Sequence, residues 1–358
     1  MNNNRQTTQT NNSPDRERTK RRLKAGDVLK FVIFFGIGLF FIYWFLLKLT
    51  PDQRTSIWNS FLEANWWWVA AVVAETALSH YVRALRWRLL FKPIGHVPSR
   101  NNTFGSVAVA YLSNLAFPRL GEVTRCATLK TSENIPLEKS LGTVVTERLF
   151  DVLAFGVVLL IGLLVMFGKA KDWLYDALSQ KFATLPSLWM VIVATVVLGV
   201  AAILIYRHFR VRWLKNKLFQ KIDGIVTGAW EGLRSIFRLD RRSMVLFMVY
   251  SVCLYSLYLL GGWLIFRAFE KTAWLGMRAA FVMYIFGSVG MMISQGGLGA
   301  YPVLVWQALD IYDISKVTGL ACGWLFWGAQ QATAIVLGMA YMIYFSLKRR
   351  TNQTYEQH

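Results

Sequence analysis

Acidic residues are scarce in this sequence: 20 Asp and Glu stand against 40 Lys and Arg, a formal net charge of +20 at pH 7. Charge of either sign is sparse, at 17% of 358 residues, where an ordinary soluble domain carries about 25%. Hydrophobic residues make up 55%, which excludes a disordered chain. The basic residues lie between long apolar runs and not on one polar domain, which excludes a nucleic-acid binder. No polar stretch is long enough for a soluble domain. The three cysteines, Cys126, Cys253 and Cys322, are isolated and form no CxxC pair, so they read as free thiols. The four histidines have no metal-ligand spacing, and HExxH, Walker A, GxGxxG and GxSxG patterns are missing. The sequence therefore points to no metal, no cofactor and no ATP hydrolysis by this chain alone.

What is present is a series of apolar runs. Residues 1–27 are polar and basic and read as a disordered cytoplasmic tail. Residues 28–47 follow, long enough for a bilayer core that takes about 20 residues. No small-residue cleavage site comes after them, so they read as a retained anchor. Further spanning candidates are 66–81, 149–167, 187–206, 244–266 and 317–346. Two stretches differ. Residues 104–117 are short and run into Pro118, Arg119, Leu120, Gly121 and Glu122; residues 275–293 run into Gln295, Gly296, Gly297, Leu298 and Gly299, and a second apolar stretch, 300–309, follows.

Charge sets the topology. Segments 1–30, 83–102, 119–148, 207–242 and 346–358 hold 31 of the 40 basic residues. The positive-inside rule puts these five on the cytoplasmic side, both termini included. They share one side only if both odd stretches enter and leave by the same face. Residues 109–112 and 282–285 are alike, and each stretch then meets a glycine-containing break. The expectation is an all-α polytopic membrane protein: about six spanning helices plus two re-entrant hairpins, in an inverted-topology repeat across 28–347, with 348–358 a cytoplasmic tail. Such repeats place a substrate site at their interface near midplane. The alternative is a plain eight-helix bundle. Within 207–242, basic residues alternate with Leu214, Leu218, Ile222 and Ile225, the pattern of a helix lying on the anionic leaflet or packed on the bundle.

Charge at bilayer depth is expensive, about 2.5–3.5 kcal/mol per residue on insertion scales, so it marks interiors and wet cavities. Arg119, Glu122 and Arg125 follow the first break at a spacing of three, which on one helix places them on one side. A helix starting there would turn N–H groups and its positive dipole end toward a phosphate, and guanidinium groups match phosphate bidentately. Glu147, Arg148 and Asp151 form a second cluster; they either pair with one another and the first cluster or balance charge around a headgroup. Glu75 is alone in its span and is a candidate coupling carboxylate. Gln295, Gly296 and Gly297 form the second break, which is a tight turn or a close approach to a ligand. Tryptophans 66–68, 263 and 274 read as interfacial belt, and His80 as interfacial.

These residues resemble the lysylphosphatidylglycerol synthase transmembrane region, the flippase-like family. The run Arg83-Ala84-Leu85-Arg86-Trp87-Arg88 is similar to the family's basic segment. Pro118-Arg119-Leu120-Gly121-Glu122-Val123-Thr124-Arg125 is similar to its P-x-R-x-G-E-x-x-R hairpin, Glu147-Arg148-Leu149-Phe150-Asp151 to its E-R-x-x-D element, and 295–299 to its P-G-G-x-G turn, with Gln295 in place of the proline. Pro302 stands where many members carry a glutamate. The full-length synthases carry a soluble aminoacyl-transferase domain after this region; the sequence stops at His358, so that activity is not carried over. The resemblance implies movement of lipids between leaflets of a bacterial cytoplasmic membrane. The partners expected are anionic or phosphate-bearing membrane lipids, a lipid-modifying enzyme and a second copy of the chain. Two other readings stay open: an integral-membrane enzyme acting on lipid phosphates or lipid-linked sugars, and a non-catalytic subunit that organises a partner synthase.

Overall fold

A computed structural model describes residues 51–117, 119–166 and 238–355. The expected spans 28–47 and 187–206, the tail 1–27 and the amphipathic stretch up to 237 lie outside them. Among the described residues every regular element is helical. They are α1 (Pro51–Glu63), α2 (Trp66–Leu89), α3 (Arg100–Ala116), α4 (Leu120–Glu133), α5 (Leu137–Met166), α6 (Arg241–Arg267), α7 (Met277–Ile293), α8 (Ala300–Asp310) and α9 (Lys316–Tyr355).

Helix starts follow local capping chemistry. The Asn65 side chain accepts the Trp67 N–H at 3.1 Å to open α2, Ser99 accepts the Asn102 N–H at 3.2 Å to open α3, and Asp240 accepts the Ser243 N–H at 3.1 Å to open α6. Each satisfies a donor that the helix cannot satisfy itself. The sequence suggested that a span ends at Tyr81 and that 83–102 lies outside the membrane. The helix instead continues to Leu89 and carries Arg83 and Arg86 with it. No helix breaker occurs before Pro93 and Gly95, and the arginines find carboxylates across the bundle, so their burial is compensated.

The chain then repeats itself. A long helix (α2, α6) is followed by a short 3-10 turn (Lys92–Ile94, Glu270–Thr272), a 17-residue helix (α3, α7), a break, a short helix (α4, α8) and a long helix (α5, α9). Each element of the second series starts 175–180 residues after its counterpart, as Met277 does after Arg100. The two leading helices run antiparallel. The Asn65 N–H at the start of α2 donates to the Ala268 carbonyl at the end of α6 at 2.8 Å. At the other end, Lys92 donates to Ser243 at 2.6 Å.

Two apolar cores lie at the two ends of this pair. One gathers Trp87, Phe91, Leu129 and Ile135 with Phe247 of α6. The other gathers Val72, Ile265, Met283, Tyr301 and Phe326. Outward faces stay apolar: Val152, Val157 and Leu160 on α5, Val249 and Val252 on α6, and Val336 and Ile343 on α9 are exposed. Both short hairpins close on glycine. A Cβ at Gly121 would overlap the Ala110 carbonyl oxygen of α3, and one at Gly290 would lie 2.8 Å from the Tyr301 Cα of α8. Gly121→Ala is therefore expected to lose about 1–3 kcal/mol by forcing α3 and α4 apart. A thermal melt of the detergent-solubilised protein checks this, with Gly142→Ala as control, because position 142 faces open space.

Candidate functional site

The charged residues of α2, α4 and α5 converge. Glu147 is fully buried. Its Oε2 accepts from Arg125 Nη1 at 2.7 Å, and its Oε1 accepts from Arg86 Nη2 at 3.1 Å, with Arg83 Nη1 at 3.6 Å. Asp151, one turn along α5, takes Arg86 Nη2 at 2.6 Å and lies 3.7 Å from Arg83 and 3.8 Å from Arg148. Arg148 Nε pairs with Glu122 at 2.9 Å and is 43% exposed, so this last pair forms the rim.

Apolar and aromatic groups shape the floor. The Arg125 guanidinium lies 4.5 Å from the Trp87 ring, and Trp87 donates its indole N–H to Thr143 at 2.9 Å. Arg86 sits between the rings of Phe150 and Phe247, at 5.8 and 5.6 Å. Arg83 reaches the second half of the chain through a 3.0 Å hydrogen bond to the Tyr258 hydroxyl on α6.

Four guanidinium groups thus face three carboxylates, leaving one positive charge. The excess shows in the hydrogen bonding. Nε and Nη1 of Arg86, Nε and Nη2 of Arg125 and Nε of Arg83 are buried and make no hydrogen bond within the described residues. Such donors are expensive to bury unused. The cluster can neutralise, orient or exchange an anion. Its three acids are held by arginines, and among the described residues no group of three His, Cys, Asp or Glu side chains stands ready for a metal.

The structure sorts the residues singled out from sequence. It brings Glu122, Arg125, Glu147, Arg148 and Asp151 together. Arg119 does not share a helix face with them. It is exposed, with φ 62°, just before α4, and has no ion pair among those described. The first turn of α4 also does not offer free N–H groups to a ligand: Leu120 donates to Phe117, Gly121 to the Asn114 side chain and Glu122 to Arg119. The tight break uses these donors to hold the hairpin closed. The cluster on α5 lies ten residues into a helix that begins at Leu137, not at a helix start.

The second break is held by α9. Gly296 and Gly297 have φ 59° and 78°, in the left-handed region, and the Gly296 carbonyl accepts from Trp327 Nε1 at 2.7 Å and Gln331 Nε2 at 3.3 Å, both on α9. The 295–297 turn rests against α3; the Gln295 side chain is outside the described residues. Glu75 lies 11 residues before Arg86 on α2, about 16 Å along the axis, with its carboxylate against Gly261 of α6 and no hydrogen bond to Oε1 among the described residues. His80 is buried and stacks on Tyr111 at 3.8 Å, not interfacial as its position suggested, while Trp66, Trp67 and Trp274 are exposed. Arg83 and Arg86 were missed as site residues because basic side chains beside an apolar run count as loop charge. The usable signal was their spacing of three, which puts both on one face of a continued helix.

Helices α6 and Lys316–Lys348 of α9 are long and apolar enough to cross a bilayer. With the outward apolar faces and a charge cluster enclosed among helices, fold and site define a helical membrane protein with an ionic interior. A family model for the lysylphosphatidylglycerol synthase TM region matches residues 28–338, and the chain belongs to that family. It is also 29% identical over 119 residues to the glycosyltransferase AglD of Haloferax volcanii, which covers 32% of this chain and 18% of that protein. The chain thus spans about a fifth of that curated relative. No solved structure matches it.

Proposed function

We propose that this protein moves a lipid headgroup bearing phosphate between membrane leaflets, with the arginine cluster as its headgroup site. The observation that carries this reading is the excess of buried guanidinium donors over carboxylates. A phosphate supplies the missing charge and acceptors. Arg119 and Arg148 meet the headgroup at the rim. Arg125, Arg86 and Arg83 form the floor, and Glu122, Glu147 and Asp151 balance their charge.

The repeated element order and the antiparallel leading helices support two units of inverted topology. At 17 residues each, α3 and α7 reach about 26 Å, short of a hydrocarbon core of about 30 Å. That length supports two re-entrant hairpins, one entering from the cytoplasm and one from outside. Movement of one unit against the other gives alternating access, and the Arg83–Tyr258 bond crosses between them. Glu75, buried and without an ion pair among the described residues, is the candidate to carry a proton during that movement. Both termini are cytoplasmic in this arrangement, in a bacterial inner membrane.

Leaflet exchange of fluorescent phospholipids in proteoliposomes tests the reading. Exchange is expected to depend on the headgroup and to fall at least tenfold in Asp151→Asn. Headgroup-independent exchange, or none with or without a proton gradient, would sink it. A second reading is favoured by the stretch shared with a glycosyltransferase: a membrane region serving enzymatic work on lipid-linked sugars, alone or with a partner synthase. Product formed from such a lipid in detergent, and lost in Asp151→Asn, would support that reading instead.

A further inference from the structure

The position of Glu75 gains meaning when the two halves of the chain are compared. Aligned on their last residues, Leu89 and Arg267, α2 and α6 set Arg83 opposite Gly261 and Arg86 opposite Leu264. Aligned on their first residues, Leu137 and Lys316, α5 and α9 set Glu147 opposite Phe326 and Asp151 opposite Gln330. The contact is kept while its chemistry changes. In the first half Arg83 lies 3.6 Å from Glu147. In the second, a Cβ on Gly261 would lie 3.2 Å from the Phe326 ring. Four charged residues thus have uncharged counterparts.

Glu75 fills the space that the missing arginine leaves. It reaches across from α2, and a Cβ on Gly261 would lie 2.5 Å from its Oε2. The residue is 7% exposed, and Oε1 has no hydrogen bond among the described residues. Oε2 accepts a long hydrogen bond, 3.5 Å, from the Thr76 hydroxyl.

No cation among the described residues answers this carboxyl. Helix α6 meets it with Gly261, and Phe326 of α9 closes the same contact. Tyr301 of α8, whose ring centroid is 6.2 Å from that of Phe326, is within electrostatic reach and is a neutral phenol. On α2 itself, Arg83 is held by Tyr258, Glu147 and Asp151, and His80 is stacked on Tyr111. A carboxylate buried without a partner is costly enough that the group takes up a proton instead. Hard metal cations take about six oxygens, and the described contacts supply those of Glu75 and Thr76 alone. A proton needs one.

We propose that Glu75 is a proton-binding site of the second half: a neutral carboxyl that seals α2 against α6 in this conformation and ionises when the two helices part. The O–H bond of Glu75 then breaks, its proton passes to water admitted between the helices, and the hydrated carboxylate stays behind. Closure reverses the step with a proton taken from hydronium on the side then open. This rests on the two-unit reading above and deepens the role given there to Glu75, by assigning the ion and the conformation that carries it.

Infrared spectroscopy of the detergent-solubilised full chain tests the assignment. At about pH 7 an ordinary glutamate, with a pKa of about 4.3, is ionised. The wild type is expected to show a protonated-carboxyl band there that Glu75→Gln loses. A carboxyl that is neutral in the fold stabilises it at low pH and ceases to do so as rising pH ionises it. The wild-type thermal midpoint should therefore fall with rising pH relative to that of Glu75→Gln. Identical bands in the two proteins overturn the proton site, and parallel midpoints overturn the seal. Loss of the band on adding sodium chloride at constant pH overturns the proton in favour of a metal cation. If Glu75→Gln does not fold, Thr76→Val decides. Removing the hydroxyl donor should shift the band, and an unshifted band overturns the proposal. Neither readout involves lipid exchange, so failure of the translocation reading leaves this result standing.

Discussion

Replacing Glu147 by alanine is expected to cost about 3–5 kcal/mol, the range for removing one member of a buried ion pair. Three arginines share this carboxylate, at 2.7, 3.1 and 3.6 Å. Arg86 is fully buried and, among the described residues, retains Asp151 alone without it; Arg125 loses its one described ion pair. Both guanidinium groups are buried, with Trp87, Phe150 and Phe247 packed on them. The check is the thermal midpoint and monodispersity of the solubilised variant. Glu122→Ala is the contrast. Its partner Arg148 is 43% exposed, and a pair so open to solvent is worth about 1 kcal/mol or less. Equal losses in the two variants would mean that the interior is wet enough to screen Glu147. The cluster would then be a solvated vestibule and not a closed floor.

Arg119→Ala combined with Arg148→Ala is expected to leave the fold in place and to remove headgroup-dependent leaflet exchange. Arg119 is exposed and free of described ion pairs, and Arg148 is bound at the rim. Neither supports a core, so the thermal midpoint should shift little. A hydrogen bond to a charged group is worth about 1.5–3 kcal/mol. Losing one therefore lowers headgroup occupancy about tenfold or more, and losing two compounds the effect. Titrating lipid in the exchange assay separates the outcomes. A rise in the lipid concentration needed for half-maximal exchange, rescued in part by Arg119→Lys with Arg148→Lys, places the phosphate at the rim. Exchange unchanged in the double variant would move the headgroup away from this face and leave the buried arginines as structural ties between α2, α4 and α5.

Composition and apolar runs were enough for a helical membrane protein, because a bilayer admits few backbone solutions and imposes a length on each. The motif residues 119–125, 147–151 and 295–299 were legible as a family pattern, and the family match covers them. Spacing also made Glu147 and Asp151, four apart, face the same way on α5. Only the tertiary structure could choose partners for them. It extended α2 through residues that read as a polar loop, because burial of Arg86 becomes acceptable once Glu147 and Asp151 lie within 3.1 Å of it. It detached Arg119 from the helix face it shares on paper, because the backbone there is left-handed before α4 begins. It also buried His80 against Tyr111 and set Glu75 against Gly261, contacts made across helices far apart in the chain. Periodicity along one helix fixes which residues share a face. Which face meets which is decided by close packing among helices, where an unpaired charge or an extra methyl group is costly enough to select one arrangement.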